Sequence, residues 1–277
     1  MVVWRFYFFV CPIFSLIVWL FDRWAGRLAG WLSGIAFRFQ TGNRNMSELE
    51  KEVKRFAETH NGEEVSSYSA VYNVGRPGIS TKESTDAYHN WSATYEQDAG
   101  PDKFRGPVIA AESMAAFYRT NRDKVLILDV ACGTGFVGQE LQKRGFKQMD
   151  GLDPCSSLLE KARAKNIYRK DFCCYLNDKP LPIEDNTYDC AVLSGGMMEG
   201  HVPCSGLYQL ARVVKPGGLV CIVMREEFLD HVEEYRNNLE PVIADLESRA
   251  IWRLASRTVV PNYFLDKNGV VFNFVKC

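Results

Sequence analysis

The chain has no surplus of either sign of charge: 33 lysines and arginines face 34 aspartates and glutamates, leaving a net charge of -1. A dedicated nucleic-acid binder carries a basic face that shows in that sum, so no nucleic-acid partner is expected. The nine cysteines include no C-x-x-C pair. The adjacent Cys173 and Cys174 lack the spacing of a zinc knuckle, so no metal site is expected. An odd count in a chain this long makes no disulfide framework and suits a reducing compartment. No internal repeat is visible, which removes solenoids and propellers. What is present is ordinary for a folded protein, 47% hydrophobic and 24% charged over 277 residues. That is enough chain for one sizeable α/β domain plus an appendage.

Charge is missing altogether from Phe6 to Phe21. As a helix these residues span about 24 Å, short of a roughly 30 Å hydrocarbon core unless Val2, Val3 and Trp4 extend it while Arg5 snorkels. Pro12 is tolerated in such a helix. Downstream, Trp24, Leu28, Trp31, Ile35 and Phe39 recur at helical spacing beside Arg23, Arg27 and Arg38, the pattern of an interfacial helix. Gly26, Gly30 and Gly34 form a small-residue stripe. Residues 1–45 are therefore expected to be a membrane anchor, spanning or interfacial. A cleaved or organelle-targeting presequence and a soluble segment are the alternatives. Arg23, Arg27, Arg38 and Arg44 outnumber Arg5, which places the bulk of the chain on the cytoplasmic side. Residues 46–86 are expected to be a linker: a charged, solvated helix with Leu49, Val53 and Phe56, then a Ser-, Gly- and Thr-rich boundary with a turn at Arg76-Pro77-Gly78. Residues 87–277 form the main domain.

That domain opens its chemistry at Val125-Leu126-Ile127-Leu128, an apolar run suited to a central strand, ending at Asp129. Val130-Ala131-Cys132-Gly133-Thr134-Gly135 follows, then a helix from Phe136 to Arg144, stopped by Gly145. Gly133, Gly135 and Gly138 spell G-x-G-x-x-G, and Asp153 lies twenty residues past Gly133. A nicotinamide dinucleotide and S-adenosylmethionine (SAM) both suit such a turn. Asp129 favours SAM, because a carboxylate attracts its ammonium and would repel a pyrophosphate. The turn Lys215-Pro216-Gly217-Gly218 before strand Leu219–Met224, and two closing strands near Trp252–Val260 and Val270–Lys276, also depart from a simple dinucleotide fold.

From about Tyr88 onward the chain resembles the class I SAM-dependent methyltransferases. The resemblance rests on Ile127–Gly135, Gly151-Leu-Asp-Pro154, Tyr188-Asp-Cys-Ala-Val192 and Lys215-Pro-Gly-Gly-Leu-Val220, in order and spacing. Tyr88–Asp98 and Val202-Pro-Cys-Ser205 are similar, more narrowly, to the Williams–Beuren region methyltransferase-like proteins. The resemblance implies an α/β Rossmann-like fold. Its mostly parallel seven-stranded sheet has order 3-2-1-4-5-7-6 with the last strand antiparallel and lies between helices; the hydrophobic helical extension falls outside it. SAM is the implied cofactor.

Asp129, Gly133 and Gly135 would line its methionine and ribose end, with Ala131 where many relatives have glycine. Asp153, after strand Met149–Leu152, would accept from both ribose hydroxyls; capping the next helix, a task open also to Ser156 or Ser157, is the alternative. Leu176, Asn177 and Asp178 would border adenine, with Asp171 as competitor or a plain surface turn as alternative. Ser194 with Gly195 and Gly196 would flank the reacting methyl group. Tyr88, Trp91 and Tyr95 share a helical face, as lid or core. Glu199 and His201 are the candidate acid–base or acceptor-positioning groups, unless their loop only faces solvent; His89 is weaker. Methyl transfer to a small, conceivably lipophilic acceptor is expected, against an NAD(P)-dependent oxidoreductase or a non-catalytic SAM-binding adaptor tethered to a membrane.

Overall fold

The computed structural model of the protein describes residues 48–277; the anchor expected over 1–45 lies outside them. No helix among the described residues is long and apolar enough to cross a membrane. The chain divides between Lys51 and Glu52, and the second unit, Glu52–Cys277, holds the whole sheet.

That sheet has seven strands: β1 (Leu126–Val130), β2 (Gln148–Leu152), β3 (Asp171–Phe172), β4 (Tyr188–Ser194), β5 (Val214–Arg225), β6 (Trp252–Phe264) and β7 (Lys267–Lys276). Their order is β3-β2-β1-β4-β5-β7-β6, the order the resemblance implies. β1 pairs in parallel with β2 and β4, β2 with β3, and β4 with β5. β7 runs antiparallel to both β5 and β6. The apolar runs of β1 and β4 are covered on both faces because successive side chains point to opposite sides. Leu128, Val130, Leu193 and Ile222 join one core, with Trp252 and Phe274 stacked at 4.1 Å at its edge. Ile127, Met149, Val192 and Val223 join the other. The closing strands extend beyond the expected Val260 and start before Val270, joined through Leu265 at φ 52° and Asp266.

In the expected linker the charged helix is present as α1 (Glu48–Ala57), and the Ser-, Gly- and Thr-rich stretch after it holds two more helices, α2 (Gly62–Val74) and α3 (Thr81–Trp91, which runs past residue 86), with the anticipated turn between them. Asn61 and Glu64 close a capping box at the start of α2, and Ser80 and Glu83 another at α3. The polar residues that resemble loop composition are thus helix starts, where a side-chain oxygen satisfies otherwise orphaned backbone N–H groups. Phe56, which shares helical spacing with Leu49 and Val53 in the helix expected to be solvated, is buried and stacks between His60 at 3.6 Å and Tyr68 at 4.2 Å. The remaining longer helices are α4 (Gly106–Phe117), α5 (Phe136–Lys143), α6 (Ser156–Ala164), α7 (Leu207–Val213) and α8 (Leu239–Ser248).

Ala131, directly after β1, has φ 51°. An L-residue there carries strain of roughly 1 kcal/mol. Its methyl also dictates its neighbour, since a Cβ on Gly196 would approach Ala131 Cβ to 2.6 Å. Ala131→Gly should therefore relieve strain while loosening the unfolded chain, and these effects nearly offset. Thermal unfolding is expected to stay level or rise by up to about 3 °C. A clear fall in melting temperature would mean that the methyl packs more than it strains.

Candidate functional site

The carboxyl ends of four strands converge on one cavity, where ligands bind in open parallel sheets. Val130, Leu152, Ser194 and Arg225, the last residues of β1, β2, β4 and β5, all line it. It measures about 1120 Å³ counted out to its open mouth.

Asp153 follows β2 and is 6% exposed. Its Oδ2 accepts the Gly133 N–H and its Oδ1 the Cys155 N–H, both at 2.8 Å. Each oxygen keeps lone-pair capacity on the cavity side. Burial drives its pKa up to about 6 against the opposing pull of those two N–H groups. The carboxylate is therefore short of donors, and two hydroxyls would supply them. It does not cap α6, whose N-cap is Cys155 with no side-chain cap. Ser157 instead shares a hydrogen bond of 2.7 Å with His89, which acts as a strut.

Asp129, expected at the methionine and ribose end of the cofactor, is fully buried and is not part of the cavity wall. Oδ2 accepts the Tyr168 hydroxyl at 2.6 Å, while Oδ1 has no hydrogen-bond partner. Burial raises its pKa to about 7, partly countered by that hydroxyl. It sits one pleat behind the glycine turn and is only partly ionised at neutral pH. Gly133 and Ala131 do line the cavity; Gly135 does not. Gly135 has φ 90° and opens α5, and a Cβ there would meet Ile167 at 2.7 Å. Its duty is packing the turn.

Leu176 lines the cavity together with Tyr175, whereas Asn177 turns away and accepts the Lys179 N–H at 2.9 Å. Asp178 is exposed and outside the wall. Asp171 is held bidentate by Arg163 at 2.9 and 2.6 Å, so it is engaged elsewhere. Ser194 is buried in the wall with its hydroxyl unpaired.

The aromatic trio reaches the cavity by a route different from the one expected. α3 ends at Trp91, and Tyr95 begins a separate single turn, Tyr95–Asp98. Trp91 Nε1 and Thr94 Oγ1 both donate to Asp98, folding that turn back. The rings then meet, Trp91 against Tyr95 at 4.9 Å and Tyr88 against Trp91 at 5.9 Å. Lys165, bonded to Glu96 and to the Thr134 carbonyl, ties the turn to the glycine loop. The rings both pack together and wall the cavity.

His201 lines the cavity beside Tyr88; the Glu199 side chain does not. Glu199 acts through its backbone, whose carbonyl lies 2.8 Å from His201 Nδ1. A carbonyl only accepts, so Nδ1 carries the proton. Nε2, 3.0 Å from the Tyr88 hydroxyl, is then the acceptor. Burial pushes the imidazole pKa down to about 4, so it is neutral at physiological pH. Burial raises the Tyr88 phenol far above its usual range. A neutral base behind a buried hydroxyl can pass a proton inward.

Arg225, Tyr263 and Phe104 also line the cavity and were not anticipated from the sequence. Tyr263 and Phe104 come from the closing hairpin and the loop before α4, which carry no motif. Arg225 had a readable signal, a charge at the carboxyl end of an otherwise apolar strand.

SAM, the implied cofactor, fits this donor set. Asp153 offers two acceptor oxygens with spare capacity, and Asp129 keeps an unpaired oxygen close behind the glycine turn. The Tyr88, Trp91 and Tyr95 rings offer faces that attract a cationic sulfur. A pyrophosphate on the glycine turn would meet the ionised form of Asp129 as repulsion, whereas Asp153 suits the ribose of either ligand.

A methyltransferase-domain family model matches residues 127–218, the stretch from β1 into β5. The human methyltransferase-like protein 27 is 36% identical over 165 residues, 60% of this chain and 66% of that protein. A demethylmenaquinone methyltransferase of Corynebacterium kroppenstedtii is 34% identical over 96 residues, 35% of this chain and 40% of that protein. The chain thus spans just under two thirds, or less, of the curated relatives it matches. Among solved structures the cyclase SpnF aligns with a TM-score of 0.54 at 18% identity, over 73% of this chain and 98% of that one. Its likeness is one of fold.

Proposed function

We propose that this chain, a class I SAM-dependent methyltransferase by its fold and its matched domain, transfers the methyl group of SAM to a small-molecule acceptor. Asp153 carries the reading: a buried carboxylate after β2, anchored by two backbone N–H groups and open to the cavity. SAM supplies an electrophilic methyl group: the acceptor's lone pair forms the new bond to carbon, and the sulfur–carbon bond breaks with its electron pair left on sulfur. The protein's part is to orient, to exclude water and to receive the acceptor's proton where one must leave. For the last task the Tyr88 hydroxyl takes the proton as its own passes to His201 Nε2. Kinship with the Williams–Beuren region methyltransferase-like proteins belongs to the same proposal, supported by the likeness to methyltransferase-like protein 27.

Calorimetric titration of residues 48–277 with SAM, S-adenosylhomocysteine and NADH tests it. Micromolar binding of the first two and none of NADH is expected. Binding of NADH alone would make the chain an oxidoreductase. A start at Asn61 would remove Phe56, which is buried against Tyr68, so the tested chain begins at α1.

A lipophilic acceptor is part of the proposal. The cavity wall is dominated by aromatic and aliphatic side chains, and one relative is named for a quinone substrate. Residues 1–45 would hold the catalytic unit at the cytoplasmic face of a membrane, where such acceptors concentrate. Fused to a reporter, residues 1–45 should pellet with membranes and resist carbonate extraction. Release by carbonate would remove the spanning version, and release by salt would leave the interfacial one.

A further inference from the structure

Arg225 ends β5 in the cavity wall and is 4% exposed. A guanidinium is rarely buried without in-plane acceptors, because it cannot shed its charge. Here it is surrounded mainly by rings. Its central carbon lies 5.2 Å from the ring centres of Tyr68 and Phe228 and 5.7 Å from that of Phe264. These faces attract the charge and fix the group in place, yet they offer no lone pair in the plane of the fork. Nη2 has no hydrogen-bond partner. Glu227 lies 2.9 Å from Nε, out of line for a hydrogen bond, and is shared with Lys267 at 3.5 Å. One carboxylate is thus shared between two cations.

The machinery assigned to SAM lies elsewhere around the wall, at the ends of β1 and β2 and on the aromatic turn. Arg225 is therefore at the acceptor's disposal. We propose that Arg225 is the anchor for a single carboxylate on the methyl acceptor, held by the guanidinium fork while the acceptor's apolar body lies against Phe228 and Phe264 in the cavity wall. A carboxylate suits a planar fork, whereas a dianionic phosphate would be repelled more strongly by the nearby Glu227. The acceptor class is then a lipophilic monocarboxylic acid, methylated at an atom other than the anchored acid group. This rests on the methyltransferase reading for the word acceptor, but the anion site stands or falls by itself.

Benzoate and benzamide make a matched pair of probes: same ring, same size, charge present or absent. Each is titrated by calorimetry into the full chain, with and without saturating S-adenosylhomocysteine. Benzoate is expected to bind at least tenfold more tightly than benzamide. Arg225→Met should erase that preference while S-adenosylhomocysteine affinity stays within about threefold. Should Arg225→Met fail to fold, Arg225→Lys decides, because it keeps the charge and loses the fork: the preference should shrink several-fold with cofactor binding unchanged. Equal binding of acid and amide, absence of both, or a preference that survives in the variants overturns the proposal. An acid preference in a chain that binds no S-adenosylhomocysteine would leave the anion site standing and remove the methyltransferase reading instead.

Discussion

Asp153→Ala is expected to weaken S-adenosylhomocysteine binding by at least a hundredfold, to the edge of detection in a calorimetric titration. The carboxylate can take two ligand hydroxyls, and hydrogen bonds to a charged acceptor contribute about 1.5–3 kcal/mol each. Losing two of them corresponds to roughly 10²- to 10⁴-fold in affinity. The variant also strips the acceptor from the Gly133 and Cys155 N–H groups, so the glycine turn relaxes as well. Asp153→Asn separates the two effects. An amide can satisfy one N–H but turns its own donors toward the other, so binding should remain poor even where the fold is kept. Retained affinity in both variants, with intact thermal unfolding, would put the ribose elsewhere. The pH dependence follows from the same group. Its pKa in the unliganded protein is pushed up to about 6 by burial, so the acceptor form is lost as pH falls through 6. Cofactor affinity should be level above about pH 7 and decline by up to tenfold per pH unit below 6.

Tyr88→Phe is expected to lower kcat by about a hundredfold on an acceptor that must lose a proton, with S-adenosylhomocysteine affinity within threefold of the parent. His201→Ala should match it, because the two groups act in series across a hydrogen bond of 3.0 Å. The double variant should then be little worse than either single one. Since burial lowers the His201 pKa to about 4, the base stays competent well below neutral pH. kcat should stay flat from pH 8 to about 5 while the KM for SAM climbs below pH 6, a split that assigns the two acid limbs to different residues. Stability has the opposite sign at this histidine from that at Asp153. Its folded pKa lies below the ordinary 6.5, so the unfolded chain binds the extra proton, and stability falls as pH drops from about 6.5 toward 4. Unchanged kcat in Tyr88→Phe would remove the relay and leave proximity as the whole of catalysis.

The parts of this molecule that the sequence announces are those where one physical demand acts alone. A strand covered on both faces has to be an unbroken apolar run, which is how β1 and β4 read. A backbone turning left-handed after β1 favours glycine, as at Gly133 and Gly135, while Ala131 makes the same turn at the cost of strain. Asp153 is legible because the end of β2 allows it one place. Legibility fails where two demands overlap. Asn61 and Ser80 look like loop residues and are helix caps, since the chemistry that disrupts a helix interior also starts one. Asp129 reads as a ligand from its position in the chain, but the pleat that puts Val130 in the cavity wall puts Asp129 behind it. Glu199 reads as a candidate acid through its side chain and works through its carbonyl. Tyr263, brought to the wall by a hairpin, has no local signature because only tertiary pairing places it.

β7 is the last strand of the sequence yet lies inside the sheet, with β5 on one side and β6 on the other. During synthesis, β5 and β6 leave the ribosome before the strand that joins them exists. Until residues 267–276 emerge, β5 has an open edge, β6 has no ladder at all, and Trp252 waits for Phe274. The chain therefore passes through a stretch of its translation with two unsatisfied strands, a window in which chaperones would find it. A premature stop before Lys267 would leave five paired strands with an open β5 edge and an unpaired β6, and cellular quality control should clear such a chain rather than leave a weakened one.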